Sequence, residues 1–158
     1  MQTRNDFLGQ VDGPELFIGL VGAIGTNLPL VVEALSEELR ELSYDPHEIH
    51  LSHLIRPIPE FKFLAGLDGG PQEIRIQKYM DAGDALRRNM GSGDGLALLS
   101  VMAIQDYRQE QIGKTDTTLR RKAYILNSFK HPDEVKTLRK IYGQAFCVIS
   151  CTRHELNE

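Results

Sequence analysis

Apolar and polar positions along the chain switch between two periods, and the switches mark out the elements. Residues 15–22, ELFIGLVG, form an apolar run bounded by Gly13-Pro14 and by further glycines. A short continuous run of this kind predicts a strand buried on both faces, as in a parallel sheet. After AIGTN the spacing becomes helical: Leu28, Val31, Val32, Leu35, Leu39 and Leu42 make one apolar stripe, with Glu33, Glu37, Glu38 and Glu41 away from its centre. Thr26 or Asn27 suits the cap of that helix, and Pro29 is tolerated in its first turn because no intrahelical N–H bond is lost there.

The pattern continues in the same alternating manner. HEIHLSHLI (47–55) has the alternation of a second strand. Residues 56–71 hold three of the seven prolines and three glycines, which predicts a loop. Residues 72–90 read as a helix, with Ile76, Tyr79, Met80, Gly83, Leu86 and Met90 roughly in register, and GSGDG (91–95) breaks it. A further helix is expected over about 95–111, with Leu99, Met102, Ala103 and Ile104 inward, followed by a polar connection over 113–119. RKAYILNSF (121–129) predicts a strand. Pro132 then opens a helix with Asp133 and Glu134 in its first turn, Lys136, Arg139 and Lys140 towards its end and Gly143 after it, which suits the helix dipole and the C-cap. AFCVIS (145–150) is the last strand. The order β-α-β-α-α-β-α-β implies an α/β fold with a mostly parallel sheet.

Length and composition change this picture little. The chain has 158 residues, enough for one domain, with 41% hydrophobic and 25% charged residues. Residues 1–14 are expected to be a lead-in to it. A net charge of -4 gives no basic footprint, so direct nucleic-acid binding is not expected. The charge is uneven, however: residues 114–140 carry eight Lys or Arg against Asp116, Asp133 and Glu134. Cys147 and Cys151 fall on one face of the last strand, and buried thiols are expected there. The start, MQTRNDFLGQVDG, has no apolar core of a signal peptide, and no apolar run approaches the ~20 residues that span a bilayer, so a cytoplasmic protein without a membrane partner is expected.

Candidate chemistry concentrates in two stretches. Residues 19–26, Gly-Leu-Val-Gly-Ala-Ile-Gly-Thr, follow a buried strand and open a helix, the context in which loop N–H groups and a helix N-terminus cradle phosphate. A complete phosphate loop has a Lys before its Ser/Thr; Gly25 stands in that place, Ile24 replaces the second loop glycine, and Thr26 keeps the magnesium-contacting hydroxyl. The alternative is a tight turn whose glycines only permit close packing. The second stretch is LNSFKHPDEV (126–135). Asn127 and Ser128 stand at the strand end where a magnesium-positioning acid belongs, and no carboxylate precedes His131. Loss of both the lysine and that acid removes two main sources of transition-state stabilisation in phosphoryl transfer, which harms catalysis far more than binding.

Weaker candidates surround these. His47, His50 and His53 recur every three residues, but on a strand that spacing alternates faces and the three do not converge on a metal. Gly91-Ser92-Gly93-Asp94-Gly95 reads as a break between helices rather than a phosphate cradle, since no strand precedes it. Arg87 and Arg88, with Arg120 and Arg121, are candidate lid or phosphate arginines, weighed against a plain solvated surface.

The passages LFIGLVGAIGTNL, YMDAGDALRRNMGSGDGLALLSVMAI, AYILNSFKHPDEVKTLRKIYG and AFCVIS resemble the N-terminal P-loop kinase-like domain of bacterial anti-phage dCTP deaminases, in the deoxycytidylate deaminase family. The resemblance covers most of residues 16–151. It implies a three-layer P-loop kinase-like domain cut short after Cys151, in which a nucleotide is bound or sensed. It also implies a zinc deaminase partner, in the same or a separate chain, that converts deoxycytidine nucleotides to deoxyuridine nucleotides. That chemistry needs H-x-E and P-C-x-x-C motifs. No P-C-x-x-C occurs here, so no zinc and no deaminase chemistry are expected in this chain.

The expectation is therefore a regulatory module that binds ATP or a deoxynucleoside triphosphate with magnesium. Gly22, Ala23, Ile24, Gly25, Thr26 and Asn27 would form the phosphate cradle, and Arg120, Arg121 or Lys130 would substitute for the missing lysine. The alternatives are an active nucleoside or nucleotide kinase and a non-catalytic assembly domain. The assembly reading expects a defined homo-oligomer and an apolar surface after Cys151.

Overall fold

A computed structural model describes residues 13–153; most of the expected lead-in, residues 1–12, lies outside the described residues. The described elements are β1 (Leu16–Gly22), α1 (Leu28–Glu41), β2 (Asp45–His50), α2 (Gln72–Met90), α3 (Gly95–Ile112), β3 (Lys122–Asn127), α4 (Pro132–Tyr142) and β4 (Phe146–Cys151), with short 3-10 segments between some of them. The four strands form one sheet in the order β2-β3-β1-β4, and every pairing is parallel. β3 is buried at all six of its residues, Lys122 and Asn127 included, and its continuous apolar middle, residues 123–126, suits a central strand.

Two apolar clusters sandwich the sheet, because alternate residues of β1 and β3 point to opposite faces. On one side Ile18, Leu20, Ala123 and Ile125 pack against Val32 and Leu39 of α1. On the other, Phe17, Tyr124 and Leu126 pack with Ala97 and Ile104 of α3 and Leu138 of α4. The result is a three-layer α/β arrangement. A third cluster joins Ala82 and Leu86 of α2 to Ile55, Phe61, Leu64 and Leu96.

Asn27, of the two expected caps, does the capping: its side-chain oxygen accepts from the Leu30 N–H at 3.2 Å. Asn27→Ala therefore loses about 1 kcal/mol of stability, measurable by urea denaturation, while Thr26→Ala leaves the cap intact.

Three expectations need correction. The strand expected over 47–55 ends at His50, and Leu51–Ile55 is a 3-10 turn. Leu51 and Ile55 are both buried, four residues apart, a spacing that suits a helical turn as well as it suits alternation. The loop expected over 56–71 contains a 3-10 segment, Pro59–Leu67, which buries Phe61 and Leu64. Their separation of three residues is one 3-10 turn.

The third correction concerns the cysteines. Cys147 is exposed and Cys151 only half-buried. β4 is the edge of the described sheet, and the apolar contacts of α1 are mainly with β1 and β3, which leaves Cys147 and Ile149 open. Partial burial still pushes the Cys147 thiol up, which favours the unreactive thiol form.

Candidate functional site

In an open parallel sheet, neighbouring strands that send their helices to opposite faces part their loops and leave a crevice at their carboxyl ends. β1 and β3 are such neighbours: α1 follows β1 on one face and α4 follows β3 on the other. Their loops, residues 23–27 and 128–131, form part of the wall of a cleft of about 1180 Å³. The 3-10 turn after β2 and one face of α2 complete it.

The β1 loop is a tight turn. The Thr26 N–H donates to the Ala23 carbonyl at 3.1 Å, and Gly25 sits at φ 90°, a left-handed conformation that any other L residue adopts only with strain. The turn consumes one N–H that a phosphate cradle would use. It leaves the N–H groups of Ile24, Gly25 and Asn27 without a hydrogen bond among the described residues. Gly22 is required for a different reason: a Cβ there would stand 2.9 Å from the Leu28 side chain. The Thr26 hydroxyl oxygen is buried in the cleft wall with no hydrogen-bond partner. A buried polar atom without a partner costs stability, and a ligand able to pair it recovers that cost.

Lys130 reaches this loop from the end of β3. Its ammonium donates to the Gly22 carbonyl at 3.2 Å, which leaves two further N–H donors. The residue is exposed, yet desolvation lowers the pKa of its ammonium, with the Glu134 charge acting in the opposite sense. A phosphate oxygen nearby would favour the charged form.

Glu134 organises the strand exit. Its side chain is fully buried and accepts from the backbone N–H of Lys130 at 3.0 Å and of His131 at 3.1 Å, while Arg87 Nη2 donates to it at 2.7 Å. His131 closes a reciprocal capping box by accepting the Asp133 N–H at 3.2 Å through Nδ1. GSGDG is a break between helices, as its sequence suggests. Gly91 ends α2 in the left-handed conformation at φ 63°, and Gly93 packs so tightly that a Cβ would lie 2.4 Å from the His131 ring.

α2 supplies the opposite wall. Arg75, Tyr79, Gly83 and Arg87 all line the cleft, and they are spaced four apart on one helix face. Arg75 is half-buried, and its side chain has no hydrogen-bond or ion-pair partner among the described residues. Arg87 is held by Asp84 at 3.0 Å and by Glu134, yet its Nε is buried and unpaired. Arg56 grips Asp68 with two bonds of 3.1 and 2.8 Å and donates to the Tyr79 hydroxyl at 2.5 Å. Arg56, Arg75, Arg87 and Lys130 line the cleft against two carboxylates, Asp68 paired to Arg56 and Asp84 paired to Arg87, a positive balance of lining charge in a protein whose net charge is -4.

The structure brings together Ala23, Ile24, Gly25, Thr26, Asn27 and Lys130, with Gly22 beneath them. It separates Arg120 and Arg121, which precede β3 and so lie at the far end of that strand. There the Arg121 guanidinium donates to the Leu42 carbonyl at 3.3 Å and lies over the Tyr44 ring. Six strand residues at roughly 3.3 Å each put about 20 Å between them and Lys130, beyond the reach of an arginine. Arg88 is exposed and does not line the cleft. The histidines depart from the strand expectation, because the 3-10 turn brings His53 against His50 while His47 stacks on Tyr107 elsewhere. Sequence reasoning missed Arg56 and Arg75 as cleft residues. For Arg75, the four-residue spacing with Tyr79 and Arg87 was the available signal.

No group of three or more His, Cys, Asp or Glu side chains that could hold a metal occurs among the described residues. No helix among them is long and apolar enough to cross a membrane. Comparison with protein-family models, curated proteins and solved structures yields no match.

Proposed function

We propose that this chain is a nucleotide-binding module that holds the phosphates of a nucleoside or deoxynucleoside triphosphate without turning it over. The observation that carries the reading is the buried, unpartnered Thr26 hydroxyl beside the loop to which Lys130 is bound, at the crevice between β1 and β3. The free loop N–H groups and the N-terminus of α1 add positive potential at the same place. The parallel sheet, with the loop leaving an interior strand, supports a P-loop kinase-like type. Lys130 takes the place of the lysine that the loop lacks. Magnesium would be met by the Thr26 hydroxyl.

Turnover is disfavoured by the residues at the β3 exit. Asn127 is an amide, held to Glu48 at 3.0 Å, and the Glu134 carboxylate is committed to the backbone and Arg87, so the β3 exit supplies no free carboxylate for the metal. The resemblance of the four passages to the deaminase family makes this module the nucleotide sensor of a deoxycytidine nucleotide deaminase, with the zinc chemistry carried by another domain or chain.

The test is a thermal-shift panel of ATP, GTP and the four deoxynucleoside triphosphates, with and without magnesium. Binding to the native state alone adds about 2.7 kcal/mol at a hundredfold excess over Kd. One or more nucleotides are expected to raise Tm, with no ADP formed from ATP. Gly25→Val should abolish the rise, because the left-handed turn cannot keep its shape, and Lys130→Ala should weaken binding about tenfold. No rise for any nucleotide overturns the reading in favour of an assembly domain; steady ADP release with an acceptor overturns it in favour of a kinase.

A further inference from the structure

We infer that the stacked imidazoles of His50 and His53, backed by Tyr79, are the platform on which the ligand's base lies, so that the cleft selects nucleotides over bare polyphosphate. The inference deepens the nucleotide reading and rests on it.

The phosphate end of the cleft is fixed by residues 23–27 and Lys130. From there the cleft runs along α2, and the eight residues from Arg87 back to Tyr79 span roughly 12 Å of helix. That is comparable to the length of a nucleotide with its phosphates extended. At the far end stand three flat side chains. The His50 and His53 rings lie 4.7 Å apart and 24° from coplanar, and the Tyr79 ring centre is 6.3 Å from that of His53. Both imidazoles line the cleft and are exposed, so neither fills the core. Exposed, mutually stacked rings in a cleft of positive lining charge suit the stacking of another flat group.

The platform is held ready for that use. His50 Nε2 lies 3.1 Å from the Glu48 carboxylate, an ion pair when the ring is protonated, and that carboxylate accepts from the Asn127 amide at 3.0 Å. Tyr79 is fixed by Arg56, which the two bonds to Asp68 hold in place. Partial burial, with the nearby Arg56 and His50, holds the His53 pKa below its ordinary value, which favours the neutral ring that stacks without burying a charge. Side chains held in position lose little freedom when a ligand arrives. Stacking tolerates any base, because every base has a π-face, so the chemical class selected is the nucleotide rather than one base.

Isothermal titration of the whole chain with dCTP, ATP and inorganic tripolyphosphate separates the two ends. His53→Ala is expected to weaken both nucleotides about tenfold and to leave tripolyphosphate unchanged. His53→Phe restores nucleotide affinity, because a flat ring is what the site needs. Nucleotide affinity unaltered in His53→Ala and in His50→Ala overturns the platform, as does tripolyphosphate weakening in step with the nucleotides. A wild-type chain that binds none of the three ligands removes the nucleotide reading itself. One that binds tripolyphosphate as tightly as dCTP removes only the platform.

Discussion

Glu134→Ala is expected to cost the fold about 3–5 kcal/mol and to eliminate nucleotide binding together with the stability. The carboxylate is fully buried and satisfies three donors: the N–H groups of Lys130 and His131 and the Arg87 guanidinium. Alanine leaves all three without their acceptor, and Arg87, whose side chain is 14% exposed, keeps a charge with only Asp84 beside it. The first turn of α4 loses its reciprocal cap, and the segment that aims Lys130 at the Gly22 carbonyl loses its anchor. Chemical denaturation should show the loss, and the midpoint of thermal melting should fall on the order of 10 °C. Glu134→Gln keeps one acceptor oxygen and should lie between the two. A stability change below about 1 kcal/mol in the alanine variant would refute the account of this cluster.

Glu15→Ala is expected to destabilise by a similar amount, about 3–5 kcal/mol, yet to leave the cleft working. Glu15 is buried at the amino end of the sheet, where it accepts from the buried Arg108 guanidinium, from the Leu119 N–H at 2.6 Å and from the Tyr124 hydroxyl at 3.5 Å. Burial works against the charge on Arg108, but the hydrogen bond and charge of Glu15 prevail and hold its pKa above the usual value. Burial foremost, and then the Glu15 charge, push the Tyr124 hydroxyl well above its ordinary range, so it remains a donor. Removing the carboxylate strands a buried guanidinium and frees the connection before β3. β3 itself is unaltered, and the cleft opens at its other end, where Asn127, Ser128, Lys130 and His131 line it. The rise in Tm given by a saturating nucleotide should therefore persist in Glu15→Ala and vanish in Glu134→Ala. Equal loss of the nucleotide response in both would mean that the two ends of the sheet are coupled and that the cleft is not locally built.

The amino-acid sequence by itself determined the elements whose signals are local. The apolar runs of β1, β3 and β4 are long enough to be strands and lack helical spacing. α4 carries its own start and stop in His131-Pro132-Asp133-Glu134 and Gly143. The glycines at 22 and 25 mark a turn because one position tolerates no Cβ and the other needs φ 90°. The same stretch placed Thr26 among the candidates, and Lys130 stood beside Arg120 and Arg121 as a basic residue able to substitute for the missing lysine. The 3-10 turns at Leu51–Ile55 and Pro59–Leu67 were not legible, because a few apolar residues three or four apart fit more than one backbone.

Tertiary structure decided which of the basic residues share a site. Arg120, Arg121 and Lys130 are neighbours in sequence, but a buried strand runs straight between them and carries them to opposite ends of the sheet. Arg75 and Arg87 are far from Lys130 in sequence, and α2 brings them to face the same cleft. The strand order, with α1 and α4 on opposite faces, placed the crevice between β1 and β3. It also left Cys147 and Ile149 open at the edge. Local pattern records which side of an element is apolar, and burial then follows. Where two such elements meet depends on contacts between residues far apart in the chain, and no single segment encodes those.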